Sequence, residues 1–515
     1  MKKYISIAIG FFMTLSYFSC NSDLDTAPTG QTPPEQVFSS IENAELAVNG
    51  LGLLIAKQYL GSQGFNGEGT IKLFYGEYPS NNFVKDLPGW AAIINLTYTT
   101  NITSIYLYYP WYYYYRIIGD ANVILDNIDN ISDFENEKLN IKAKCLTYRA
   151  YAYFMMSQLY SKRWSESQNG ASSGLILRLN SKTEDQMALS TLAQTYAQIY
   201  DDLDTAISYF NQSKIDREDF YDIGIEVAQA IYARAALTRE DFAKAATMAA
   251  EARKNYPLMS NDDLMKGFFD PTSEWIWGSY GSTEQNLYYY SYQAYMAYNT
   301  SGSIIRLYPN MITKELYAQI PKTDVRRRWW VYPGDDVTTP GPVTSATVDA
   351  DIRKNYPAIP SNATTSYYMQ FKIGASALPG VGNMCHIRSS EMILVEAEAL
   401  VRQNAGKDEQ ARKLMLELNK DSGRNPEYTL TKSGTELLEE IWKYRSIELW
   451  GEGFEWFDYK RTGRAVKRTD RAAKGSYISS LAVTINPNQA NDWVWAVPSR
   501  ETDYNQLAKL PEPAN

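Results

Sequence analysis

The chain has 515 residues, 44% hydrophobic and 21% charged, a balance that supports a large buried core and excludes a disordered chain. Its 50 basic and 59 acidic residues leave a net charge of −9, which argues against a nucleic-acid partner. A single histidine, His386, and three cysteines exclude a His-rich zinc site and a disulfide scaffold, while 41 tyrosines and 12 tryptophans supply abundant flat amphipathic surface.

The chain opens on a targeting segment. Lys2 and Lys3 precede an apolar run over residues 5–18 that is too short to cross a bilayer and ends at Ser19-Cys20. A small residue before a cysteine at that place reads as a lipoprotein signal over residues 1–19, cleaved ahead of an acylated Cys20. An ordinary secretory signal is the alternative. Residues 20–34 are polar and carry Pro28, Pro33 and Pro34, which suits an extended tether. No later stretch approaches the roughly 18 apolar residues of a membrane helix, so the protein is expected to be anchored rather than inserted.

Residues 35–256 read as helical, with early helices expected over residues 120–128 and 139–160. Leu192, Tyr196, Ile199, Leu203, Ile207 and Phe210 recur at three- and four-residue steps and put one apolar stripe on a helix. Val227, Ala230, Ile231 and Leu237 repeat the pattern. Arg239-Glu240-Asp241 breaks it, and Phe242, Ala245, Ala246, Ala249 and Ala252 resume it. Two such helices, the second with alanines at contact positions, make a tetratricopeptide-like pair. Residues 257–387 are rich in Gly, Pro, Tyr and Trp, with residues 331–360 loop-like throughout, and read as a large insertion. Helices return over residues 388–515, a further pair being expected at 390–404 and 409–419. The fold class is mostly α: a tetratricopeptide-like α–α superhelix carrying a loop-rich aromatic insertion.

The stretch Arg388-Ser389-Ser390-Glu391-Met392-Ile393-Leu394-Val395-Glu396-Ala397-Glu398-Ala399 resembles the "R-x-S-E-x-x-L-x-x-A-E-A" helix of the SusD/RagB family. Arg445, Glu448, Leu449, Glu452, Gly453, Asp458, Lys460 and Arg461 resemble its second signature, and Pro498 with Glu501 its closing segment. Asp120-Ala121-Asn122 and Tyr148-Arg149-Ala150-Tyr151 match the early helices. The resemblance implies a SusD-like, non-catalytic lipoprotein on the outer face of the outer membrane. Such a protein would bind oligosaccharides, or peptides in RagB-type members, and pass them to a TonB-dependent SusC-like transporter. No cofactor is implied, and a structural calcium ion is left open.

The signature residues Arg388, Glu391, Glu396, Glu398, Arg445, Glu448, Asp458 and Arg461 are read as structural. Arg445 shares a helix face with Leu437, Ile441 and Leu449, and an arginine on a packed face wants a carboxylate, which the helix bearing Glu391, Glu396 and Glu398 could supply. Glu396 and Glu398 diverge by about 200° on a helix, so they cannot flank one glycosidic bond as a hydrolase would require. Cys385 and His386 are adjacent and point apart. Cys145 reads as a buried small hydrophobe, a Cys145–Cys385 disulfide being left open.

Tyrosines over residues 106–115, and Tyr288, Tyr292 and Tyr295 at helical spacing, read as core. Aromatics in loops are the candidates for a ligand platform: Trp90 after Pro88-Gly89, Tyr98 with Asn101 close behind, and Trp329 and Trp330 after Arg326-Arg327-Arg328. A sugar offers a C–H face to an aromatic ring and a rim of hydroxyls to polar side chains. The family resemblance places part of its platform just before the helix that begins near Trp111, which singles out Trp90 and Tyr98.

Overall fold

The computed structural model describes residues 37–56, 65–182, 185–283, 291–331, 334, 339–404, 406–487 and 493–509. The signal, Cys20, the tether and Tyr288 lie outside the described residues. Helices α1 (Ile41–Ala56), α2 (Ile105–Asn127), α3 (Glu135–Tyr160), α4 (Leu192–Ser213), α5 (Ile225–Thr238) and α6 (Phe242–Arg253) form the first part of the chain. From α2 onward each packs on the next. The insertion carries α7 (Ala346–Asn355). Beyond it α8 (Ser389–Arg402) packs on α6 and resumes the stack with α9 (Asp408–Leu416) and α10 (Gly434–Glu448), followed by α11 (Glu455–Thr462). Among the described residues no helix is long and apolar enough to cross a membrane.

Local chemistry sets the ends of these helices. Thr191 and Gln194 form a reciprocal capping box at the start of α4, and Asp241 accepts from the Lys244 N–H at the start of α6. Ala245, Ala249 and Ala252 are fully buried, so α6 lies close between α5 and α8. The structure corrects two expectations. Residues 331–360 are not loop throughout: Ser345 caps α7 by accepting from the Val348 N–H, and only Ile352 of that helix is buried, so its apolar stripe is too thin to read. Helix α2 begins at Ile105, ahead of residue 120 and of the start near Trp111, and runs through Pro110. Proline has no N–H to offer the Tyr106 carbonyl, and the Tyr75 hydroxyl donates to it instead at 2.8 Å. One residue on, the Tyr160 hydroxyl accepts from the Trp111 N–H at 3.1 Å and donates to the Leu107 carbonyl at 2.5 Å. Tertiary hydroxyls thus replace helix bonds that the proline disturbs.

Strands are short and pair antiparallel: β1 (Phe83–Val84) with β3 (Met311–Ile312), β2 (Trp275–Ser279) with β6 (Met384–Arg388), β4 (Gly341–Pro342) with β5 (Ser366–Tyr367), and β7 (Val466–Lys467) with β8 (Thr484–Ile485). The β2–β6 pair closes the base of the insertion. Val331, Ile352, Ile359, Ala363, Met369 and Phe371 give the insertion a small core of its own. Elsewhere one core runs through the molecule, and much of the tyrosine lies inside it. Tyr75, Tyr109, Tyr113 and Tyr114 are fully buried, and the hydroxyls of Tyr114 and Tyr151 both donate to the buried Glu68 carboxylate.

Candidate ligand-binding site

The signature charges are interior. Arg388 donates from Nη1 to Glu274 (2.9 Å) and Glu448 (2.7 Å), and its Nη2 and Nε reach both oxygens of Glu452. Arg424 joins at Glu274, Arg326 spans Asp324 and Glu448, and Lys372 meets Glu452. Four cations and four carboxylates therefore neutralise one another out of water. Burial alone would raise the Glu452 carboxyl, but Arg388 and Lys372 outweigh it and hold it at about 2. A second ladder alternates in sign: Glu398, Arg461, Asp458 and Arg445, then Glu391 and Arg234. The partner expected for Arg445 is corrected here. Its close contact is Asp458 on α11 at 2.6 Å, with Glu391 at 4.0 Å, and the neighbouring Glu448 serves Arg388 and Arg326 instead. Glu396 faces away from Glu398 and takes Arg253 at 2.9 Å. Glu396 and Glu398 thus bind different arginines.

Cys145 and Cys385 are free thiols, and burial pushes Cys145 up to about 12. His386 is buried with its ring 4.7 Å from that of Trp277, and burial holds its pKa well below the usual imidazole range. Neither arrangement activates a nucleophile.

The loop aromatics need correction. Tyr98 is 5% exposed, its ring edge-on to Trp495 at 5.4 Å. Trp329 and Trp330 are 0% and 2% exposed. In the tight 3-10 turn Val325–Trp329, positions three apart eclipse, so drawing Arg326 inward to Asp324 and Glu448 draws Trp329 in as well. The Trp329 indole then donates to the Leu264 carbonyl at 2.8 Å. Trp90 is half-buried, packed on Phe74, Tyr78 and Tyr295 with ring centres 5.3–6.0 Å apart, so it has a core role that a free loop residue would lack. Asn101 is exposed, its side-chain oxygen accepting from the Thr103 N–H and hydroxyl. Trp90 and Trp330 are joined through the rings of Tyr78, Phe83 and Trp450, one buried aromatic run rather than a platform.

An exposed aromatic corner exists elsewhere. Tyr221 and Tyr280 are 44% and 53% exposed, with ring centres 6.3 Å apart at 64°. They border a cleft of about 330 Å³ whose walls include Asn49, Gly52 and Leu53 of α1, Tyr148 of α3, Asp222, and Trp277 at its base. The local sequence builds it. Gly278 on β2 has no side chain, so the Phe220 carbonyl approaches and accepts its N–H at 2.9 Å; a Cβ there would meet the Met384 carbonyl oxygen at 2.9 Å and the Phe220 ring at 3.0 Å. That bond sets Tyr221 beside Tyr280. Phe220 packs edge-on to Trp275, and Arg217 ties the same loop to the Ile276 carbonyl. The Tyr221 hydroxyl donates to Asp219 at 2.6 Å. Among the described residues Asp222 is the one carboxylate on the cleft wall, and Lys144 already pairs with it at 2.8 Å. Residues 219–222 and 275–281 carried a readable signal, aromatics among Asp and Gly outside any helical stripe, that the sequence reading passed over.

A helical stack with buried, self-neutralising charge and an aromatic cleft defines a binding scaffold. The comparisons sharpen this. A family model described as "SusD family" matches residues 241–507, more than half of the chain, and one described as "Starch-binding associating with outer membrane" matches residues 57–223. The chain belongs to the SusD family. SusD-like protein P38 of Formosa agariphila is 22% identical over 506 residues, covering 91% of this chain and 93% of that protein. A SusD-like carbohydrate binding protein from Bacteroides vulgatus superposes with a TM-score of 0.74 at 20% identity, over 91% of this chain and 97% of the other. A SusD superfamily protein from Bacteroides thetaiotaomicron gives 0.71 at 21%, over 91% and 99%.

Proposed function

We propose that this protein is a non-catalytic glycan-binding lipoprotein of the outer membrane. Anchored through Cys20 and facing the cell exterior, it captures oligosaccharides and passes them to a TonB-dependent SusC-like transporter. The observation that carries the reading is the Tyr221–Tyr280 corner, two exposed rings over a mainly apolar cleft with Asn49 and Asp222 on its wall, which suits the C–H faces and hydroxyl rims of a sugar. Among the described residues the cleft wall carries one carboxylate, Asp222, already paired with Lys144, whereas glycoside hydrolysis requires two acids across one bond. The matching family description, starch binding in association with the outer membrane, and the carbohydrate-binding relative of like fold support the same reading.

The test is a glycan and peptide array followed by calorimetric titration. Oligosaccharides should bind, and Tyr280→Ala should weaken them by more than about tenfold, near 1.4 kcal/mol, with an unchanged melting temperature. Peptides alone on the array would move the protein to the RagB-like reading, in which the same cleft serves another nutrient.

A further inference from the structure

A small cavity of about 50 Å³ lies among α3, α5, α8, α10, α11 and the segment 68–72, and shares no residue with the Tyr280 cleft. Its wall carries the cations Lys72, Arg234, Arg445 and Arg461 and the carboxylates Glu68, Glu391, Glu452 and Asp458. A water needs roughly 10–15 Å³, so there is room for one small ion with a water or two.

Every carboxylate oxygen on this wall already accepts a hydrogen bond. Glu68 takes the Tyr114 and Tyr151 hydroxyls, Glu391 takes Arg234 on both oxygens, Glu452 takes Arg388 on both, and Asp458 takes Arg445 and Arg461. A donor is left over. Arg445 is buried, its Nε is spent on Asp458 and its Nη2 lies 4.0 Å from Glu391, while its Nη1 has no acceptor among the described residues. Lys72, also buried, donates to the Glu452 carbonyl at 2.9 Å and forms no ion pair among the described residues. Lys72, Arg234 and Arg445 gather on one ring, their charged ends 5.4, 5.0 and 5.3 Å from the centre of Phe454. The local field is positive. Burial, then Lys72 and Arg234, hold His386 well below the usual imidazole range, and burial, then Arg234, lower Lys72 itself.

We infer that this cavity is a binding site for one halide-sized anion, held by Arg445 Nη1 with Lys72 and Arg234 beside it. Charged N–H donors of this kind bond best to an anion. A water would satisfy the Nη1 donor, but its own hydrogens would face carboxylates already occupied, and it would leave the field unanswered. An anion has no hydrogens to place and neutralises the excess. The bound ion ties α10 to α5 and to the segment of Lys72.

The experiment uses the full-length protein in detergent, with chloride replacing gluconate at a constant ionic strength of about 200 mM. Chloride binding to the folded state should raise the melting temperature progressively. Lys72→Met and Arg445→Gln should each weaken the fitted chloride affinity at least tenfold, each variant being compared with itself in gluconate. In a crystal of the wild type grown in sodium bromide, an anomalous peak should stand in the cavity beside Arg445 Nη1. A melting temperature indifferent to chloride, or a chloride dependence that both variants keep, overturns the inference. So does bromide found only on exposed side chains with water in the cavity, and that map decides the matter should a variant fail to fold.

Discussion

The charged interior around Arg388 and the aromatic cleft at Tyr280 use the same residue types to opposite ends. Around Arg388 each guanidinium and carboxylate is matched, and rings such as Trp329 are enclosed with their polar atoms bonded. At Tyr280 the rings stand half in water at the edge of a cleft. An arginine or an aromatic ring says little by itself. Whether its partners lie within the chain decides if it holds the scaffold or awaits a ligand.

The largest expected effect breaks the first region. Arg388→Ala strands Glu274, Glu448 and Glu452 out of water and should cost about 3–5 kcal/mol of stability, measured by denaturant unfolding. A loss under about 1 kcal/mol would show that the network opens to solvent and would erase the contrast.

Trp90 lies between the two regimes, half-buried but packed on three rings. Trp90→Ala should cost about 2 kcal/mol of stability, less than a full core truncation. Its effect on glycan affinity should fall well below that of Tyr280→Ala, and the reverse order would return the platform to Trp90.

Glu77 sharpens the comparison through pH. Its Oε1 accepts from the Gly453 and Phe454 N–H groups while Oε2 has no partner among the described residues, and burial, reinforced by Glu455, pushes its pKa up to about 8. A carboxyl raised in the folded state adds stability that is present below its unfolded pKa, near 4.5, and is lost as pH rises toward 8. Wild-type stability should therefore fall across that window relative to Glu77→Gln, by about 1 kcal/mol or more. Parallel curves for the two proteins from pH 5 to pH 8 would place an ionised Glu77 in contact with water.

The smallest effect on the fold belongs to the anchor. Cys20→Ser should release the protein from carbonate-washed membranes and leave its melting temperature unchanged, and retention in the membrane pellet would exclude attachment through that cysteine.

Much of the scaffold was legible because helices announce themselves locally. The stripe from Leu192 to Phe210 and the alanines of α6 are periodic and need no distant partner to be read. The signature Arg388, Glu391, Glu398 and Arg461 were readable as interior ion pairs for the same reason: a charge on a packed face demands a counter-charge. Which carboxylate answers which arginine was not readable. Arg445 finds Asp458 thirteen residues away, while Arg388 finds Glu274 over a hundred, and only the β2–β6 pairing brings that segment in. The aromatics show the same limit. Tyr98, Trp329 and Tyr221 all sit in irregular segments, and composition cannot rank them. Exposure was decided by what packs on each: Trp495 on Tyr98, the Leu264 carbonyl on Trp329, and, among the described residues, the rings of Phe220 and Tyr280 on Tyr221 at the cleft edge. Periodicity is a local property and survives in sequence. Burial of a loop side chain is a sum over distant contacts, and only the tertiary structure performs that sum.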